Sequence, residues 1–384
     1  MQGTENWLSA LTLKASYGAQ GNDNLGSYYA SSGLYTIISN NNESGLVTDR
    51  LATPNLKWET NLNFNVGIDF SLWNNRLSGS FDFFQRKSKD LLYSRPLASS
   101  LGYTSVDENV GALKNTGFEI ELKGTIIDVK DFKWNMGLNL THYKNKVTEL
   151  PLKDMPQGSF TKLQEGRSVY DFYLKEWAGV NPDNGEPLWY MNQKDENGHT
   201  IKVTTNDYSK ANYYFVNKSS LPKVYGGFNI NLSYKAFDLS TVFSYSLGGK
   251  VLDSSYRGLM DVGEFGYAMS PDLHNAWTTP GQITDVPRLD NNSGHATSIG
   301  QSYSTRWLTN ANYLNLRTVT LAYNLPKSIL NVINIKSARV NVSAENLFML
   351  KARQGLNPQA NYAGVSYNEY MPAKNFTIGL NVSF

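Results

Sequence analysis

The stretch Ala373-Lys-Asn-Phe-Thr-Ile-Gly-Leu-Asn-Val-Ser-Phe384 alternates from Asn375 to its last residue. In a strand, successive side chains point to opposite faces. Phe376, Ile378, Leu380, Val382 and Phe384 therefore share one face, and Asn375, Thr377, Gly379, Asn381 and Ser383 the other. A strand of this length, apolar on one side and small or polar on the other, suits a wall with lipid on one side and water on the other. The pattern recurs along the chain and predicts an all-β protein built as an antiparallel transmembrane β-barrel.

Ten such strands are predicted. They cover Leu8 to Gly18, Lys57 to Trp73, Arg76 to about Tyr93, Val110 to Val129, Phe132 to Val147, Lys223 to Lys235, Phe237 to Val251, Trp307 to Tyr323, Ser337 to Leu350, and the opening stretch. The second is the clearest, with Leu62, Phe64, Val66, Ile68, Phe70 and Leu72 set against Asn63, Asn65, Gly67, Asp69 and Ser71. Asn74 and Asn75, which tolerate positive φ, predict a tight hairpin into the third. Leu314 and Leu316 break parity with Val319 and Leu321, so the facing of the eighth strand is open at this stage.

The links alternate in length. Those after the second, fourth and sixth strands are short, and long ones fall at about residues 19–56, 94–109, 149–222, 252–306 and 351–371. Outer-membrane barrels have short periplasmic turns and long extracellular loops. The long links are therefore expected outside, with the first strand running outward and the tenth ending in the periplasm.

A soluble carbohydrate-binding β module is the rival on pattern alone, since alternation says only that one face is buried. Two features weigh against it. The runs are about 10 to 15 residues, against about five or six for ordinary strands. Their apolar faces also carry almost no charge at mid-strand, where Arg or Lys facing lipid would cost about 2–4 kcal/mol.

Composition narrows the functions. Thirty-five Lys and Arg against 33 Asp and Glu leave a net charge of +2, which gives no electrostatic footprint for nucleic acid. The chain has no cysteine, which removes thiolate chemistry and cysteine-ligated metals. The 24 Tyr, 17 Phe and 8 Trp suit pleated surfaces and interfacial girdles. Mean hydropathy is −0.42, and no 18-residue apolar run is present, so no transmembrane helix is expected. Residues Met1 to Trp7 lack the basic and apolar regions of a signal peptide, and Met1 is not expected to be the native start.

Catalytic and metal signatures are lacking. His142, His199, His274 and His295 stand apart from one another, with no HExxH spacing, so no enzymatic role, cofactor or metal is expected. Asn181-Pro-Asp-Asn-Gly-Glu-Pro187 and Asp195-Glu-Asn-Gly198 have calcium-loop composition without the closing glutamate, and Asx turns are the expected reading. The functional candidates are Trp177, Trp189, Tyr190, Tyr267, Trp277 and Trp307, in or beside the long loops, whose flat rings could stack on sugars or other amphipathic ligands, or fold the loops together. Glu119, Glu121 and Lys123 are expected on the inner face of the fourth strand, as hydrated lumen, solute path or a contact to a plug.

Several segments carry a family resemblance. They are Pro54-Asn-Leu-Lys-Trp-Glu59, Asn109-Val-Gly-Ala-Leu-Lys-Asn-Thr-Gly-Phe-Glu119, Glu165-Gly-Arg-Ser-Val-Tyr170, Pro222-Lys-Val-Tyr-Gly-Gly227, Arg306-Trp-Leu-Thr-Asn-Ala-Asn-Tyr-Leu-Asn-Leu-Arg317, Glu345-Asn-Leu-Phe348 and the terminal Phe384. In this order the chain resembles the C-terminal barrel part of SusC/RagA-type TonB-dependent transporters of Bacteroidetes outer membranes.

The resemblance implies about the last ten strands of a barrel of about 22, with the plug domain absent from this stretch. It also implies TonB-dependent import of a polymer-derived nutrient, an oligosaccharide first and a peptide second. The implied partners are a SusD-like surface lipoprotein, the TonB complex through the plug, and the outer-membrane assembly machinery, which would recognise Phe384. Ten strands alone would leave unpaired edges in lipid, so a fragment of a longer protein is expected. A self-contained ten-stranded pore or surface enzyme is the alternative.

Overall fold

The computed structural model describes residues 7–24, 28–29, 31–103, 105–261, 266, 268–290, 302–332, 335–360 and 363–384. Ten strands form one sheet: β1 (Leu8–Asn22), β2 (Glu59–Leu72), β3 (Leu77–Lys89), β4 (Ala112–Val129), β5 (Phe132–Glu149), β6 (Val224–Tyr234), β7 (Phe237–Leu247), β8 (Tyr313–Asn324), β9 (Ser337–Lys351) and β10 (Asn375–Ser383). Each is hydrogen-bonded to the next in chain order, which is an up-and-down meander. Among the described residues no helix is long and apolar enough to cross a membrane.

The chain divides into two compact units. The first comprises Met1–Leu122, Thr141–Pro156 and Leu163–Val169, and the second Lys123–Leu140, Gln157–Lys162 and Tyr170–Phe384. In the first, β1 and β2 pair through Leu11 with Phe70, Leu13 with Ile68, Ala15 with Val66 and Tyr17 with Phe64. The apolar row continues to Phe81 and Phe83 of β3, and Phe81 stacks on Phe118 of β4 at 6.0 Å. The polar row of the same strands holds Lys14, Asn65, Asp82, Arg86 and Glu119.

In the second unit, Phe228 faces Phe243, Leu232 faces Leu239 and Tyr234 faces Phe237. The row runs on through Leu321, Val342 and Ile378. The expected turn residues Asn74 and Asn75 take positive φ between β2 and β3, where Trp73 joins them, and Lys235 does so between β6 and β7. Asn and a turn-terminal Lys adopt this region more readily than β-branched residues, which fixes each hairpin register.

Parity in β8 is restored by a bulge. Val242 pairs with Thr318 but Phe243 pairs with Leu316, so Arg317 is an extra residue. The shift places Leu314 and Leu316 on the apolar face with Val319 and Leu321, and opposite the bulge Asn346 takes φ 53°.

Strand boundaries differ from expectation at several ends: β1 runs on to Asn22, β3 stops at Lys89, and β7 and β8 are shorter than their runs of alternation. β7 stops at Leu247, where Gly248 takes φ 90°, and Lys250–Asp253 starts a separate three-stranded sheet with Leu308–Asn310 and Val365–Ser366. The eighth wall strand begins at Tyr313, because Trp307 closes a 3-10 turn and the residues after it join that small sheet. Sequence alternation cannot separate a long strand from two short ones that change partner.

Candidate functional site

The long links of the second unit fold on a core of their own. Phe172 and Leu174 come from the link after β5, Leu252, Met260, Leu273, Ala276, Val286 and Trp307 from the link after β7, and Val365 from the link after β9. Burying side chains of this size contributes about 1.5–3 kcal/mol each, enough to order segments that are far apart in sequence.

Asp253 ties two of these links. It is 1% exposed, accepts from Arg353 Nε at 3.0 Å and Nη2 at 2.5 Å, and caps the helix Ser254–Leu259 by accepting from the Tyr256 amide at 2.9 Å. A buried carboxylate needs such a charge-assisted set to offset its lost hydration.

Over this core lies a chain of rings and cations. Lys162 sits over Tyr173 at 4.9 Å, and Tyr173 stacks on Tyr213 at 5.5 Å. Lys175 lies 3.9 Å above Tyr208 and 5.3 Å from Tyr213, and donates to the Tyr208 carbonyl. Tyr208 meets Trp189 edge-on at 5.2 Å, and Trp189 meets Trp177 at 5.6 Å. Arg306 is sandwiched between Trp177 at 4.9 Å and Trp307 at 4.5 Å. Trp307 then meets Tyr256, over which Arg353 stacks at 4.5 Å. Quadrupole attraction holds a partly dehydrated cation against a ring face.

Burial sets the charge behaviour of this chain. It pulls the Lys175 ammonium below the usual lysine range, with Asp207 acting in the opposite sense. It brings the Arg306 guanidinium down to about 10 and lifts the Tyr256 phenol to about 12, the latter helped by its hydrogen bond to Asp272.

The sequence-derived aromatic candidates fall into different environments. Trp189 and Trp307 are 0% and 2% exposed, and their ring faces are covered by packing. Trp177 is half-buried, and its amide donates to Thr305 Oγ1 at 2.9 Å. Trp277 is half-buried against Gly185, where φ is 73° and a Cβ would meet the indole, and its Nε1 donates to the Pro182 carbonyl at 3.0 Å. Tyr190 is half-buried with Lys202 over its ring at 4.4 Å. Tyr267 and His295 lie outside the described residues.

Glu119, Glu121 and Lys123 are exposed on β4, one residue out of step with Phe118, Ile120 and Leu122. Phe384 is 81% exposed beyond the last residue of β10. The two calcium-like stretches are Asx turns: Asn181 accepts from the Asp183 amide, Asn184 from that of Glu186, and Asp195 from those of Asn197 and His199.

Sequence reading missed the cations of the loop chain and one cluster in the first unit. There Lys14 Nζ bridges Asp69 at 2.7 Å and Asp82 at 3.2 Å, beside a depression of about 280 Å³ that Arg86 and Glu119 also line. Gly67 makes room for it, since a Cβ there would run into the Asp82 carboxylate. The signal was present as polar residues at inward parity on three neighbouring strands.

Comparison with known proteins gives consistent similarities. The family model described as TonB dependent receptor-like, beta-barrel matches residues 4–248. TonB-dependent receptor P3 of Formosa agariphila is 31% identical over 408 aligned residues, covering 99% of this chain and 40% of that protein. TonB-dependent receptor SusC of Bacteroides thetaiotaomicron is 27% identical, over 99% of this chain and 38% of its own length. A solved structure of the RagAB peptide transporter is similar at a TM-score of 0.83 and 34% identity, over 99% of this chain and 41% of that one. The chain thus spans about two fifths of the length of these relatives.

Proposed function

The chain belongs to the TonB-dependent receptor β-barrel family of outer-membrane proteins, and from that premise we propose that it supplies wall strands and outer loops to an importer of polymer-derived nutrients. The observation that carries this reading is the folded loop body. Three links share one core and present half-buried rings and paired cations. Such surfaces bind amphipathic solutes by stacking and by directed hydrogen bonds.

An oligosaccharide is the first substrate class, on the strength of Tyr190, Trp177 and Trp277, which are half-buried rather than buried. A peptide is the second, and the likeness to a peptide transporter favours it. In the same reading, the long links at about 19–56, 94–109, 149–222, 252–306 and 351–371 face outward, a SusD-like surface lipoprotein delivers substrate to them, and TonB energises passage through a plug. Glu119, Glu121 and Lys123 line the path, and Phe384 serves as the assembly signal.

Two substitutions test the loop surface, Tyr190→Ala and Trp277→Ala, made in the whole protein as its native locus encodes it. Uptake of labelled oligosaccharides and peptides at limiting concentration should fall several-fold, with heat-modifiable migration of the barrel unchanged. Wild-type uptake in both variants would assign the rings to loop packing alone.

A further inference from the structure

At the outer end of β6, β7 and β8 the polar face carries Tyr225, Ser246 and Tyr313, each out of step with the apolar row of its strand. Three links arch over these residues and enclose a cleft of about 250 Å³, to which they add Ser220, Lys250 and Gln359. Among the described residues that line the cleft, Lys250 is the one lysine or arginine. It is half-buried, yet among the described residues its side chain has no ion pair, hydrogen bond or ring contact. Two other lysines of the loop body behave differently: buried Lys175 is held by Tyr208, and half-buried Lys162 sits over the Tyr173 ring.

We propose that this cleft is a carboxylate-binding subsite of the import path, with Lys250 as the charge partner and the Ser246 and Tyr313 hydroxyls as hydrogen-bond donors; this rests on the importer reading above. A lysine that lines a cleft without a protein partner keeps its N–H donors available, and an incoming carboxylate supplies a charge-assisted acceptor for them. The rest of the lining suits a small organic acid better than a bare ion. Pro222, Pro358 and the tyrosine rings offer flat apolar surface, and among the described residues no acidic side chain lines the cleft to repel an anion. The carboxylate could belong to a uronic acid or to a peptide terminus, and the geometry fits the group common to both.

The experiment uses the whole protein as its native locus encodes it, purified in detergent, and measures binding by titration calorimetry. Two matched probe pairs are compared: a trisaccharide ending in glucuronic acid against its methyl ester, and a pentapeptide with a free C-terminus against its amide. The expected result is that one acid form binds about tenfold more tightly than its neutral partner, which is the scale of one charge-assisted contact. The pair that shows the preference identifies the source. Lys250→Met should remove the preference while the neutral form binds as before, and Lys250→Arg should keep it.

A preference that survives Lys250→Met, or no acid preference in either pair, overturns the subsite. Heat-modifiable migration of each variant separates loss of the contact from loss of folding. The importer reading fails by a different observation: deletion of the gene leaving growth on polymer-derived nutrients unchanged.

Discussion

At the residue scale, the two most buried tryptophans differ in one bond. Trp307 Nε1 donates to the Ser302 carbonyl at 3.1 Å, while Trp189 Nε1 is buried with no acceptor. Replacing either by Phe removes similar ring area, but only Trp307→Phe also removes a hydrogen bond, worth about 0.5–1.5 kcal/mol, and leaves a carbonyl behind. Trp307→Phe should therefore open the loop core by about 1 kcal/mol more than Trp189→Phe. Amide hydrogen exchange in Lys250–Asp253 and Tyr213–Ser219 reads this directly, and equal loss of protection in the two variants would refute it. Both residues were visible in the sequence as rings near long links. Their burial was not, because Trp307 packs in a core with Phe172, Met260 and Val365, which stand far from it in the chain, and Trp189 packs against Trp177 and Tyr208 from other strands and turns.

At the element scale, alternation made the wall strands legible almost residue by residue, and it failed where the backbone carries one residue too many. In β8, Arg317 is exposed and lets Leu314 and Leu316 share a face with Val319. A period of two cannot encode a bulge, so the sequence alone left that strand's facing open. The geometry yields an unusual expectation for deletions. Removing Arg317 straightens β8 and keeps every apolar side chain on its present face, so the variant should still assemble. Removing Asn65 from the regular β2 flips Leu62 and Phe64 relative to Val66 and Ile68, turning apolar groups to water and Asn63 to lipid, so assembly should fail. Heat-modifiable migration from purified outer membranes distinguishes the two, and failure of both would mean that the bulge is required for more than facing.

At the scale of the whole molecule, two kinds of order coexist and only one was written locally. The sheet follows from neighbours two apart in sequence. The loop body rests instead on pairs such as Asp253 with Arg353 and Trp177 with Thr305, 100 and 128 positions apart. Short strands such as Trp177–Val180 and Lys250–Asp253 have too few residues for a period to emerge, and what selects them is the partner they find. The wall poses the opposite problem, since its apolar side chains touch along the sheet but many of them stay exposed. Leu13 and Tyr17 in the first unit and Phe376 and Ile378 in the second are all more than two thirds exposed. In water such continuous surface would associate, and in lipid it is at rest. Spin labels replacing Leu13, Val66, Leu321 and Ile378 should therefore be relaxed by oxygen dissolved in the bilayer. Labels replacing Ser16, Asn229 and Ser240, on the polar rows of β1, β6 and β7, should respond to a water-soluble nickel chelate instead. The contrast must switch between successive residues of each strand, because lipid and water lie less than one sheet thickness apart, and chelate access on both faces would rule out a membrane wall.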